Sequence, residues 1–214
     1  MRYRASIAAF LGAACSSQQP RPSPVPTPDV ASPPAVGDSV RLAALRIPRH
    51  VAGFRGTSRH DFEDPRYGTH VRYVGPQPFA ADVYIYPIIP PSLATTDAGR
   101  DSAAALEFRS AREEIFLFQK TKALPDPKAL REVEVTAPAG GTRVTRGRRG
   151  TFQYQRDSLS LTSHLYVFGL RDRYVKVRSS YRQHEGPPEP PPALERFVQA
   201  LVSAVAAGYE RGDK

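Results

Sequence analysis

The sequence predicts an α+β domain: an antiparallel sheet of about six or seven strands, flanked by one long helix and one C-terminal helix. Three observations carry that reading. Residues 98–122 repeat apolar side chains at spacings of three and four, a helical period. Segments 69–74, 81–88, 131–136, 149–155, 159–170 and 174–181 alternate with the period of two expected of strands. The last four of these follow one another without an intervening helical stretch, which favours an antiparallel meander over alternating βα units.

The chain has 214 residues and opens on a different pattern. Arg2 and Arg4 form a basic start, residues 5–11 are largely apolar, and Gly12, Ala13 and Ala14 lead to Cys15, the only cysteine. Basic, then apolar, then small is the order of a secretory signal. Ending on cysteine, it resembles the N-terminus of a bacterial lipoprotein, with Gly12 where that pattern usually has leucine. The resemblance implies cleavage before Cys15, acylation of its thiol and export to the cell envelope, on the periplasmic side of the outer membrane. Spanning a bilayer takes ~20 apolar residues, so the short run is not read as a transmembrane helix. A lone thiol consumed by lipid leaves no disulfide and no cysteine metal site.

Residues 16–39 hold Pro20, Pro22, Pro24, Pro26, Pro28, Pro33 and Pro34 among small polar residues. Proline fixes φ and removes donors, which makes an extended, semi-stiff tether rather than a packed unit. Residues 40–214 suit a single domain with a real core.

Within that domain, residues 40–47 read as a first strand ended by Pro48. Gly53 and Gly56 mark a turn around Phe54, and 59–67 reads as polar turn. In 69–74, Val71 and Tyr73 share a face. In 81–88, Val83 and Ile85 point one way and Tyr84 and Tyr86 the other, with Pro87 closing the strand or sitting at an edge. Thr95, Thr96 or Asp97 caps the long helix. Its buried stripe is Ala104, Phe108, Ala111, Ile115 and Phe118, and Arg109 with Glu113 makes an i,i+4 pair. Pro125 and Pro127 stop it. Residues 169–173 form a hairpin turn. A last helix, 193–207, turns Leu194, Phe197, Val198, Leu201 and Val205 inward; prolines 190–192 lead in and Gly208 suits its end.

The element order is similar to that of the Mog1/PsbP-like domains. Leu45-Arg46-Ile47-Pro48 resembles their opening strand, the run from His164 to Arg178 resembles their late hairpin, and the C-terminal helix follows. The resemblance implies a binding or assembly module and carries over no site residue.

The net charge is +9. An exported basic chain is expected to meet an anionic lipid, an envelope protein or a glycan, not nucleic acid. Only five of its 30 basic residues are lysine, so arginine-rich composition accounts for part of the charge. There is no G-x-S-x-G elbow, no phosphate-binding glycine loop and no H-E-x-x-H. No cofactor is expected, and the domain reads as a binder more than an enzyme.

Three groups are candidate sites. The strands read aliphatic on one face (Val83, Ile85, Leu165, Val167, Val175, Val177). On the other they are aromatic and basic: Tyr84, Tyr86, His164, Tyr166, Phe168, Tyr174, Lys176 and Arg178. That second face is either covered by a helix or open to a ligand by stacking and charge. Arg143, Arg146, Arg148 and Arg149, between glycines, read as a basic loop fit for phosphate or carboxylate, or as a solvated hairpin connection. His60, Asp61, Glu63 and Asp64, with His70 nearby, offer hard oxygens and imidazole to a divalent cation, or form a solvated turn. This last group supports the alternative reading, a small envelope hydrolase or metal-binding protein.

Overall fold

The computed structural model describes residues 47–76, 79–156, 159–182 and 189–210. The signal with Cys15, the tether 16–39 and residues 40–46 of the expected first strand lie outside them. The described residues hold eight strands and two α-helices: β1 (His50–Val51), β2 (Phe54–Asp61), β3 (Thr69–Val74), β4 (Ala80–Pro87), α1 (Asp97–Thr121), β5 (Lys128–Pro138), β6 (Val144–Arg156), β7 (Leu159–Leu170), β8 (Arg173–Arg182) and α2 (Pro192–Glu210). The α+β expectation holds, with more strands than expected.

The extra strands come from β1 and β2. The stretch 54–61 looks like a turn in sequence because it is polar and carries Gly56. It is a strand because Phe54, 1% exposed, anchors one end and the rest pairs with β3 across a bulge at Gly56/Ser58. A second correction concerns the expected basic loop. Residues 144–156 form the 13-residue strand β6, so Arg146, Arg148 and Arg149 are strand residues and only Arg143 precedes it.

The sheet order is β1-β2-β3-β4-β8-β7-β6-β5, and every neighbour is antiparallel. Two four-stranded meanders therefore meet where β4 pairs with β8. The chain between them must travel from β4 to the far edge at β5. Helix α1 makes that crossing and packs on β7 and β6. The Thr96 side chain accepts from the Gly99 amide to start it. Ala103, Ala104, Phe108, Ala111, Ile115 and Gln119 are its buried residues. The stripe continues at Gln119 rather than Phe118, which is 43% exposed, because the i+4 row from Ile115 is the one over the sheet.

Helix α2 covers the opposite face. Leu194, Phe197, Val198, Leu201, Val202, Val205 and Ala206 are all at most 1% exposed. Phe197 stacks on Phe54 at 4.3 Å and lies 5.1 Å from Tyr73. Each of these side chains larger than alanine contributes roughly 1.5–3 kcal/mol by leaving water, so this layer is the main core.

Candidate binding face of the sheet

Register decides which side chains share a face. On the α2 side lie Val71, Val83 and Val177 in one row, and Tyr166 pairs with Val177 while Phe168 pairs with Val175. On the α1 side, Leu165 pairs with Arg178 and Val167 with Lys176. The expected aromatic face is thus corrected in its β7 members. Tyr166, Phe168 and His164 belong to the α2 layer, and Leu165 and Val167 lie beneath α1. Tyr84, Tyr86, Tyr174, Lys176 and Arg178 do share one face.

Helix α1 divides that shared face in two. Under its flank, Lys176 is 7% exposed. Its Nζ lies 3.3 Å from Glu107 Oε1 and 3.9 Å from Glu114 Oε2, both on α1. Glu107 and Glu114 are seven residues apart, two helical turns, so both reach the same strand. The ammonium also stands 5.1 Å over the Tyr86 ring and 5.6 Å over Tyr84. Tyr86 donates its hydroxyl proton to Glu107. Burial, then the Glu107 charge, pushes the Tyr86 hydroxyl well above its ordinary range, and the same causes push Tyr174 up to about 12. Burial also raises the Glu114 carboxyl, with Lys176 opposing and Glu107 adding to it. These groups form a seam that fastens the helix to β8.

Beyond the helix flank the face is open. His70, Tyr84 and Lys176 form one cross-strand row, and Arg72, Asp82 and Arg178 the next. The His70 and Tyr84 rings stack at 4.6 Å. His70 Nε2 is 3.1 Å from Asp82 Oδ1, and Arg72 Nη1 donates to both Asp82 oxygens at 2.9 Å. Burial works against the Asp82 carboxylate, but its bonds to His70 and Arg72 outweigh that and hold its pKa below the ordinary value. Arg72 is exposed and Arg178 partly so. At the sheet edge, Arg49, His50, Arg55, Gly56 and Thr57 line a shallow groove of about 460 Å³.

The two other candidate groups do not converge. His60 opposes His70 on the α1 side, while Asp61, one residue on, faces the opposite way. Asp61 accepts from Arg59 and, at 2.6 Å, from Thr69. The Arg59 bond, then the Thr69 bond, lowers its pKa. Asp64 accepts from the Arg66 backbone and guanidinium and starts the short helical turn Pro65–Tyr67, as the Asp-Pro step leads one to expect. Among the described residues no group of three or more His, Cys, Asp or Glu is placed to hold a metal. In β6, Arg148 and Arg146 lie on the α1 side at the β5 edge, whereas Arg149 is turned to the α2 side and is 8% exposed. Arg149 meets Glu195 at 2.7 Å and Glu189 at 2.9 Å, and Tyr166 donates to the same Glu195 at 3.0 Å. That cluster ties β6 to the first turn of α2.

Sequence reasoning missed Asp82, Arg72, Glu107 and Glu114 as site residues, and used His70 only as a metal candidate. The alternation of 69–74 and 81–88 already places His70, Arg72 and Asp82 opposite the apolar face, which is the signal that could have found them.

No protein-family model matches the chain. Nor does any curated protein sequence. Among solved structures, a mutant of protein Mog1 is 10% identical with a TM-score of 0.32, over 71% of this chain and 78% of that one. The Saccharomyces cerevisiae Ran-binding protein Mog1p is 10% identical with a TM-score of 0.31, over 73% of this chain and 92% of that one. This is a distant likeness in fold to the Mog1 structures, and it carries no argument about activity or partner.

Proposed function

We propose that this chain is an exported, lipid-anchored envelope protein whose α+β domain binds a partner through the open half of the α1-side face and performs no catalysis there. The observation that carries the reading is the unequal cover of the sheet. Helix α1 packs on β6 and β7 and leaves Tyr84, His70, Arg72 and Arg178 of β3, β4 and β8 at least partly in water. Guanidinium groups beside a stacked tyrosine and imidazole suit binding by charge. The anchor rests on the N-terminal pattern and Cys15; several acyl chains are needed for stable attachment.

Membrane fractionation of Cys15→Ser tests the anchor. The variant is expected to move from the membrane fraction to the soluble one, and a protein that stays put, or native material with an intact Met1 and free thiol, overturns it. The site is tested by placing a photo-crosslinker at Arg72 and, as control, at Leu106 on the exposed side of α1. Adducts from Arg72 alone are expected; equal adducts or none refute the assignment.

A further inference from the structure

We infer that the open face docks on an anionic lipid surface, a step that rests on the binding role proposed above and names its occupant. The argument is first one of charge. The outward positions of this face carry Arg55 on β2, Arg72 on β3 and Arg178 and Arg182 on β8, together with His50, His60 and His70. The one carboxylate among the α1-side positions of β1 to β4 and β8 is Asp82, and it is already engaged by His70 and Arg72. Arg55 lines the groove at the sheet edge, and Arg178 lies within the field of Glu114 on α1, whose carboxyl, raised by burial, it helps to lower. Guanidinium forks match phosphate oxygens and are more weakly hydrated than ammonium groups. The groove of Arg49, His50 and Arg55 opens at the same edge.

The second argument separates a bilayer from an acidic protein. Protein hot spots are aromatic and arginine anchors packed in desolvated pockets at the centre of the patch. On these sheet positions the large apolar side chain left well exposed is Val74, at 43%. Tyr84 is already occupied by His70 on one ring face and approached by Lys176. A broad cationic face whose tyrosine is already stacked, and whose groove lies at the sheet edge, offers no such central pocket to a protein. It is sufficient for a charged bilayer, where each arginine near the surface contributes through the surface potential alone. A chain tied to the bilayer by its N-terminus would hold this face at high local concentration.

The experiment uses the full chain carrying Cys15→Ser, so that no acyl chain contributes and the N-terminal segment is the same in every variant compared. Co-sedimentation is measured with phosphatidylcholine vesicles, with and without phosphatidylglycerol, and with polyglutamate as an acidic peptide probe. Binding is expected to the phosphatidylglycerol vesicles only, and to fall as salt rises. The variant Arg55→Gln/Arg72→Gln/Arg178→Gln is expected to bind about a hundredfold more weakly, near fivefold per arginine. The charge-matched variant Arg143→Gln/Arg146→Gln/Arg148→Gln is expected to keep most of the binding. Circular dichroism verifies that both remain folded. Equal loss in the two variants would reduce the effect to net charge and overturn the assignment, as would indifference to phosphatidylglycerol. Binding to polyglutamate but not to vesicles would overturn it while leaving a binding role for the face intact. A free thiol at Cys15 in native material would remove the anchor and leave the vesicle result standing.

Discussion

His164 is 0% exposed, in the α2 layer at the centre of β7. Its Nδ1 lies 3.1 Å from Thr151 Oγ1 and its Nε2 2.8 Å from the Tyr181 hydroxyl, so neutral imidazole has both nitrogens satisfied without an acid beside it. Burial, and then the Arg149 charge, brings its pKa from 6.5 to about 4. The unfolded chain therefore binds a proton that the folded one refuses between those values. Stability from this group is fully present above pH 6.5 and is lost as pH falls toward 4. At pH 4.5 the linkage relation gives a loss of roughly 2.5 kcal/mol relative to pH 7.5. Urea unfolding followed by circular dichroism at the two pH values measures it, in the native chain and in His164→Gln. Glutamine keeps a donor and an acceptor but cannot titrate. The carboxylates contribute equally to both chains, so the difference between their acid losses isolates His164. The variant is expected to lose about 2.5 kcal/mol less than the native chain on acidification. Equal losses, or an imidazole that titrates near 6.5 by NMR, would refute the reasoning.

The seam under α1 gives a second prediction. Lys176→Met leaves the mostly buried Glu107 without its cation and is expected to cost about 3 kcal/mol in urea unfolding. Adding Glu107→Gln should restore part of that, and strict additivity of the two changes would show that the pair is not coupled. Gly150 allows α1 to approach β6, since a Cβ there would lie 2.7 Å from Phe108 Cζ and 2.8 Å from Phe152 Cε2. Gly150→Ala should destabilise by about 1–3 kcal/mol, seen as a lower Tm; an unchanged Tm would mean that the rings move aside freely.

The sequence made both helices and the order of six strands legible, because their apolar periods are strong. Facial assignment was legible in β3 and β4 but not in β7. From His164 to Leu170 every residue of β7 is buried, since α1 lies on one side and α2 on the other. A strand covered on both faces reads as a continuous apolar run, so Leu165 and Val167 look like natural company for Val175 and Val177. Only the pairing register shows that they oppose Arg178 and Lys176. Gly147 and Gly150 misled for another reason. Between arginines they resemble turn residues, yet a Cβ at Gly147 would sit 2.5 Å from Phe168 Cδ1. Glycine in a strand interior can mark close approach as well as a bend. The partners of Arg149 and Lys176, at Glu195 and Glu107, are 46 and 69 residues away and leave no local trace.

The place of the open face follows from connectivity more than from any one residue. With β4 joined to β8, the strand after α1 lies four places away, about 19 Å at the usual strand spacing. A 25-residue helix spans about 37 Å, so α1 crosses the second meander obliquely and is used up there. The first meander is left bare on that side, while α2 closes the other. Residues in β2 to β4 then divide by exposure: Val71, Tyr73, Ala81, Val83 and Ile85 at 5% or less toward α2, and Arg55, Ser58, His60 and Arg72 in water on the reverse. An antiparallel meander with one wet face needs polar residues there for solubility, but solubility alone would be served by either sign of charge. The strand positions of this face instead carry four arginines and three histidines against one carboxylate, with Glu107 and Glu114 of α1 at its border. That bias is what turns an uncovered surface into a candidate site, and it is the feature that the arginine variants remove.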